Sequence, residues 1–174
     1  MSQDLQRLIA ETQNQFRIAP SAAKATFSAD SKITEGMRCE VAMRDHSMVI
    51  DEPAELGGSD TGPNPVEVVL AALGTCQEIT YRAYAAALGI PLESVSVKLD
   101  GDIDLRGFFA VDDSIRPGYE TISGTVRLVS SASEDQLQML RAAVDAHCPV
   151  LDILRNPVPV TLTLETEASA EAAE

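Results

Sequence analysis

The side chains best suited to chemistry in this sequence are three cysteines, two of which lie in helical surroundings. Cys76 lies within an apolar stretch of helical periodicity, and Cys148 follows a second such stretch and precedes Pro149. Two thiols can work as a redox pair when one thiolate is oxidised to a sulfenic acid and the other resolves it as a disulfide. Free cysteine is also a common small buried hydrophobe, so both interpretations stay open. Cys39 is interpreted as a small residue of a strand.

The segment around Cys76 predicts a loop followed by a long helix. It reads GGSDTGPNPVEVVLAALGTCQEITYRAYAAALGIP, and its glycines and prolines exclude regular structure before the helix. Asn64 suits the N-cap and Pro65 the first turn, so we predict a helix over 66–88 that ends at Gly89. Apolar residues three and four apart predict one buried stripe, made of Val66, Val69, Leu73, Cys76, Thr80, Ala83 and Ala87. Most other faces are also apolar, so this helix needs cover nearly all round, which predicts a homodimer.

The remaining elements predict an α+β fold, in which mainly antiparallel sheets pack on the long central helix. Alternating apolar residues predict strands at 22–29, 37–44, 47–50, 94–105, 119–130 and 158–164, with turns at 30–32 and 45–46. Ser133, with Gln136 three residues on, predicts the capped start of a second helix. We interpret residues 1–20 as a helical extension, 21–166 as the main domain and 167–174 as a disordered tail.

Composition argues against several classes of function. The net charge of −14 disfavours a nucleic-acid partner. No apolar run is long enough to span a membrane, and the first residues lack the apolar centre of a secretion signal. Three cysteines without such a signal predict a reducing, cytoplasmic location. The two histidines and three scattered cysteines form no recognisable zinc pattern, and we predict no cofactor and no metal.

Three stretches carry a resemblance to a known family. The stretch GGSDTGPNPVEVVLAALGTC, the helix end LGIP and the later AHCPVLDIL resemble the osmotically inducible protein C and organic hydroperoxide resistance (OsmC/Ohr) family, over residues 22–165. The resemblance implies a swapped, intertwined homodimer with two active sites at the subunit interface. In peroxidase members the first cysteine attacks an organic hydroperoxide and the second closes the disulfide, roles that fall to Cys76 and Cys148. A thiol reductant, such as the dithiol of a lipoylated protein, is the implied further partner.

The sequence departs from the peroxidase pattern beside the NP pair. Peroxidase members place there a glutamate that orients an arginine over the thiolate, whereas this chain has Val66 followed by Glu67. At about 100° per residue, position 67 lies about 180° around the helix from Cys76 and should face away from it. The candidate cations are Arg38 and Arg44, on the second predicted strand or at its end, although a surface charge is the commoner role of a single arginine.

Two functions follow from these observations. The first is a thiol-dependent peroxidase for organic hydroperoxides, which needs a cation near Cys76 to stabilise the thiolate. The second is a non-peroxidase thiol protein for sulfur handling or small-molecule binding, which a Cys76 without such a cation would favour. His147 is either a base beside Cys148 or part of the apolar face of its helix.

Overall fold

Helices and strands alternate in an α+β arrangement over residues 2–166, which the computed structural model describes. The helices are α1 (Ser2–Ile18), α2 (Pro65–Leu88), α3 (Leu105–Phe108), α4 (Glu134–His147) and α5 (Pro149–Arg155). The strands are β1 (Asp30–Glu35), β2 (Arg38–Met43), β3 (His46–Ile50), β4 (Ser94–Asp102) and β5 (Thr121–Val129). The predicted class, with antiparallel sheets and a long helix, is confirmed. Among residues 2–166, no helix has both the length and the apolarity to cross a membrane.

The strands form two separate antiparallel sheets. The first has the order β1-β2-β3 and the second pairs β4 with β5. The strand predicted at 22–29 is wrong, because a 3₁₀ turn at Pro20–Ala23 and irregular chain occupy that stretch. The turn predicted at 30–32 is also wrong, because it lies inside β1. The chain reverses instead at Gly36, whose φ of 55° is a conformation that glycine adopts without strain.

The ends of α2 follow their local signals, and this helix is confirmed. The Asn64 side chain accepts a hydrogen bond from the Glu67 N–H at 2.9 Å, and the Glu67 carboxylate accepts one from the Asn64 N–H at 2.8 Å. This reciprocal capping box satisfies two N–H groups that the first turn of a helix cannot. Gly89, with φ of 67°, ends the helix in the left-handed conformation. Glu67 is thereby committed to the cap, on the side predicted to face away from Cys76.

The loop before α2 is held by one buried carboxylate. Asp51 is 1% exposed, and its oxygens accept hydrogen bonds from the N–H groups of Glu52, Ser59 and Thr61 and from the Thr61 hydroxyl. The Thr61 hydroxyl, at 2.8 Å, is the main cause that lowers the pKa of Asp51. A side chain at Gly58 would place its Cβ 1.8 Å from the Glu52 carbonyl oxygen, so only glycine fits there. These hydrogen bonds hold the loop that precedes α2, and they were not predicted from the sequence.

The core lies where α2 and α4 meet the second sheet. Its buried residues are Tyr81, Ala85, Ile90, Leu140 and Val144, against which Val95 of β4 and Leu128 of β5 also pack. The predicted capping box of Ser133 and Gln136 begins α4. The core therefore contains side chains from both helices and both strands of the second sheet.

The buried face of α2 differs from the predicted stripe. Leu73 and Thr80 are buried as predicted, but the other buried residues are Gln77, Tyr81 and Ala85. The chain's own sheet and α4 cover this rotated face, and Cys76 lies at its edge, half-buried. On the far side Ile79 is 70% exposed. Residues 2–166 therefore leave one apolar side of α2 exposed.

Two predictions for the end of the chain need correction. The helix α5 was not predicted, because Pro149 was interpreted only as the end of the preceding helix, whereas proline also suits a first helical turn. The strand predicted at 158–164 is not formed, since no described strand pairs with it. Its apolar residues are exposed, from 53% at Val158 to 90% at Leu162. The predicted tail at 167–174 lies outside the described residues.

Replacing Leu140 by alanine should destabilise the fold by about 2–5 kcal/mol, the range for a large aliphatic side chain removed from a packed core. Leu140 is fully buried between α4 and α2, whereas its neighbour Met139 is 59% exposed. Urea unfolding of Leu140→Ala and of the control Met139→Ala measures the difference. Equal losses in the two variants would contradict the described packing of α4.

Candidate active site: two thiols beneath an apolar cleft

The structure brings Cys76 and Cys148 together. Their Sγ atoms are 3.3 Å apart, although the residues are 72 positions apart in sequence. Cys148 is 1% exposed, whereas Cys76 is half-buried. The two thiols are therefore in contact, and Cys76 is the one that a molecule from solvent can reach. Cys39, on β2, is not part of this pair.

Cys148 is the single residue between two helices. Its N–H donates to the Val144 carbonyl in the last turn of α4, and its carbonyl accepts from the Asp152 N–H in α5. Both helices pack against α2. The end of α4 and the start of α5 thus hold this thiol against the middle of α2.

Burial is the main cause that raises the pKa of the Cys76 thiol, and the neighbouring Cys148 thiol raises it further. A hydrogen bond from the Val150 N–H, at the start of α5, acts in the opposite direction and stabilises the thiolate. The Thr80 hydroxyl is a second donor near the sulfur, but it also lies 2.7 Å from the Cys76 carbonyl. Since a hydroxyl has one proton, we regard Val150 as the steadier donor. The balance leaves a thiol with a raised pKa.

The chain does not bring a predicted cation to Cys76. Arg38 donates to the Glu40 carboxylate at 3.0 Å and to the Thr34 hydroxyl at 3.1 Å. Arg44 lies exposed in the turn between β2 and β3, with φ of 56°. Within residues 2–166, no charged side chain is among the groups that shift the Cys76 pKa. A cation at this sulfur would have to come from outside residues 2–166 of the same chain.

The position that holds glutamate in peroxidase members has a different task here. Val66 is half-buried, and its carbonyl accepts a hydrogen bond from the Tyr119 hydroxyl at 2.9 Å. Burial raises the pKa of Tyr119, with a smaller contribution from the nearby Glu67 carboxylate. The start of α2 is therefore tied to the loop before β5, and neither residue 66 nor residue 67 is positioned to orient an arginine over Cys76.

An apolar cleft of about 440 Å³ opens above Cys76. It is lined by Ala72, Thr75, Cys76, Ile79, Thr80, Ala83, Tyr84, His147 and Pro149. The rings of Tyr84 and His147 lie 5.1 Å apart at its wall, and the His147 Nδ1 lies 2.8 Å from the Ala143 carbonyl oxygen. Phe108 and Phe109 do not line this cleft; their rings contact each other, and the two residues are 65% and 54% exposed. The cleft can hold a small organic tail against the sulfur of Cys76.

Sequence reasoning missed Tyr84 and Val150 as site residues. Tyr84 had a signal, because steps of four residues along α2 lead from Cys76 through Thr80 to Tyr84 on one face. Val150 had none, since its contribution is a backbone N–H at the start of an unpredicted helix. Across the described part of the chain, no group of three or more side chains could hold a metal ion.

Comparison with known proteins agrees with this architecture. Residues 57–163 match the family model described as OsmC-like protein. An OsmC-like protein from Mycoplasma pneumoniae has a TM-score of 0.67 at 16% identity, over 77% of this chain and 90% of that one. An organic hydroperoxide resistance protein from Legionella pneumophila has 0.59 at 21% identity, over 76% and 91%. The corresponding protein from Elizabethkingia anophelis, with thiocyanate bound, has 0.59 at 16%, over 78% and 91%. No curated protein matches the chain.

Because burial outweighs the Val150 hydrogen bond, alkylation of Cys76 should have its pH midpoint above that of an unfolded thiol. A raised pKa means less thiolate at every pH below the midpoint, so iodoacetamide should react more slowly at neutral pH than with the unfolded chain. The double variant Cys39→Ser/Cys148→Ser isolates Cys76, and the same variant in urea is the reference. A folded midpoint below the reference would contradict the raised pKa of Cys76.

Proposed function

Because the chain belongs to the OsmC-like protein family, we propose that it is a thiol-dependent peroxidase that reduces organic hydroperoxides. The observation that carries the proposal is the 3.3 Å separation of two sulfurs, of which Cys76 alone lines the apolar cleft. The names of the Legionella and Elizabethkingia proteins support the same substrate class. The apolar wall suits an organic tail better than it suits hydrogen peroxide.

The exposures of the two thiols support different roles for them. The Cys76 thiolate attacks the terminal oxygen of the hydroperoxide, the O–O bond breaks, and the alcohol leaves with a proton. The Cys148 thiol then attacks the resulting sulfenic acid, a disulfide forms and water leaves. Cys148 is 1% exposed, so its sulfur meets Cys76 rather than free oxidant. An external thiol reductant, by the family resemblance a dithiol, then returns both cysteines to thiols.

Closing the disulfide requires little movement. The sulfurs must approach from 3.3 Å to about 2.05 Å, the length of an S–S bond. Cys148 lies at the junction of two helices rather than inside one, where rotation of the side chain disturbs few backbone hydrogen bonds. A sulfenic acid on Cys76 would therefore be resolved before further oxidant reaches it.

We also propose that the active form is the homodimer. The uncovered side of α2 supports this proposal, with Ile79 70% exposed, as does β1, all of whose residues are exposed. The 158–164 segment has strand-like alternation, and none of the described strands pairs with it. Arg38 and Arg44 keep a catalytic role only if a second subunit carries one of them to Cys76, where it would stabilise the thiolate.

A specific observation also favours the second candidate function, a thiol protein for sulfur handling or small-molecule binding. The pKa of Cys76 is raised, and no charged side chain of residues 2–166 lines its cleft. Such a thiol is a poor nucleophile at neutral pH. The peroxidase and this alternative differ in whether hydroperoxide is consumed faster than by free cysteine.

The peroxidase proposal predicts which thiol reacts first. After stoichiometric cumene hydroperoxide, the wild type should contain a Cys76–Cys148 disulfide, identified by mass mapping. Cys148→Ser should carry over-oxidised Cys76, because no thiol resolves the sulfenic acid. Cys76→Ser should consume almost no peroxide, whereas the control Cys39→Ser should match the wild type. Consumption by all four proteins at the rate of free cysteine would reject the peroxidase and favour the alternative.

The dimer proposal predicts that Ile79→Asp yields a folded protein with the mass of one chain. Ile79 is exposed within the chain, so the new carboxylate does not disturb its core, but burial of that carboxylate at an interface would cost several kcal/mol. Leu8→Asp, at a position 58% exposed on α1, is the matched control and should stay dimeric. Light scattering at micromolar concentration decides. A monomeric wild type, or a dimeric Ile79→Asp, would contradict the proposal.

A further inference from the structure

We propose that His147 is the proton-transfer residue of the Cys76 site, which takes the thiol proton and returns it to the departing alkoxide. This inference rests on the proposed peroxidase function and deepens it. The supporting arrangement is the cleft itself, because His147 and Cys76 both line this cavity of about 440 Å³. In the proposed complex the hydroperoxide lies in this cavity, beside both side chains.

The hydrogen bond of the ring selects the nitrogen that acts. The His147 Nδ1 lies 2.8 Å from the Ala143 carbonyl oxygen. A carbonyl oxygen can only accept, so Nδ1 carries the hydrogen and donates it. In the neutral ring the lone pair is then on Nε2, which is the atom able to take a proton. Contact with the Tyr84 ring, at 5.1 Å between centroids, holds the imidazole in this orientation.

Among the residues that line the cleft, His147 is the one suited to proton transfer. On α2, the cleft residues with polar groups are Thr75, Cys76, Thr80 and Tyr84, and α5 contributes only Pro149. On α4, Asp145 pairs with Arg141 and lines a different cleft, beside Tyr81. Among the side chains that line the cleft, only His147 carries an imidazole, the group that most often serves as a general acid or base. The raised pKa of Cys76 adds to the need for a base, because the thiol is protonated when substrate arrives.

The proton balance of the step is complete. The Cys76 thiol proton moves to Nε2 of His147 as the sulfur attacks the terminal peroxide oxygen. The S–O bond forms, the O–O bond breaks, and both electrons of that bond remain on the alkoxide. The imidazolium then gives its proton to the alkoxide, so that alcohol leaves and the ring is neutral again. The sulfur is oxidised by two electrons and the peroxide is reduced by two.

The test compares two oxidants whose leaving groups differ in basicity. Cumene hydroperoxide releases an alkoxide that needs a proton, whereas peracetic acid releases a carboxylate that does not. His147→Gln, which keeps an amide but cannot carry a proton, should lose at least about 10-fold in rate with cumene hydroperoxide; general acid–base catalysis is typically worth 10²–10⁴-fold. With peracetic acid the loss should be smaller, because this oxidant still needs the thiol proton to be taken but needs no proton on its leaving group. Stopped-flow measurement of Cys76 oxidation gives both rates.

The controls separate this inference from the proposed function. His46→Gln changes the other histidine of the chain, exposed at the start of β3, and should behave as the wild type with both oxidants. Disulfide formation with peracetic acid in His147→Gln shows that its site is intact. Equal losses with both oxidants, or no loss with either, would overturn the role of His147 alone. A wild type that consumes neither oxidant faster than free cysteine would overturn the peroxidase function as well.

Discussion

An apolar helix in water must be covered on every side, and α2 is covered by its own chain over only part of its circumference. The second sheet, α4 and α5 bury the side that carries Leu73, Tyr81 and Ala85. Cys76 lies at the border between this covered side and the open one. That position gives the thiol two properties at once, since it is desolvated enough to raise its pKa yet still reachable through the cleft. The exposure and the pKa of Cys76 therefore depend on which sides of α2 the other elements pack against.

In the described part of this chain, the groups that act on the Cys76 sulfur are uncharged. Peroxidase members of the resembled family use a glutamate and an arginine, but here Glu67 caps α2 and Arg38 pairs with Glu40. The groups at the sulfur are instead a backbone N–H, from Val150, and a neighbouring thiol. Neutral donors stabilise a thiolate less than a cation does. Within residues 2–166, the groups that act on the Cys76 sulfur are all uncharged.

Residue patterns spanning a few positions predicted where helices begin and end. They could not predict which distant segments of the chain come into contact. Asn64, Pro65 and Gly89 specify both ends of α2 through contacts within a few residues, and these predictions held. The first hairpin was misplaced because alternation is similar on both sides of residue 30, while the positive φ at Gly36 decides where the chain turns. No spacing rule could show that Cys148 reaches Cys76, since their contact depends on how α4 and α5 pack on α2. Residues 158–164 could not be predicted correctly for the same reason. A strand needs a neighbouring strand to pair with, and no described strand pairs with this segment.

The contact between the two sulfurs also has a topological meaning. A bond between Cys76 and Cys148 would close a covalent ring across their 72-residue separation. The ring would enclose the second half of α2, both strands of the second sheet and all of α4, and so every residue of the main core. In the chain-entropy description, a ring of this length restricts the unfolded chain by the equivalent of about 4 kcal/mol. The first sheet and α1 lie outside the ring. Oxidation would therefore restrict the unfolded chain between Cys76 and Cys148 but not the part that forms α1 and the first sheet.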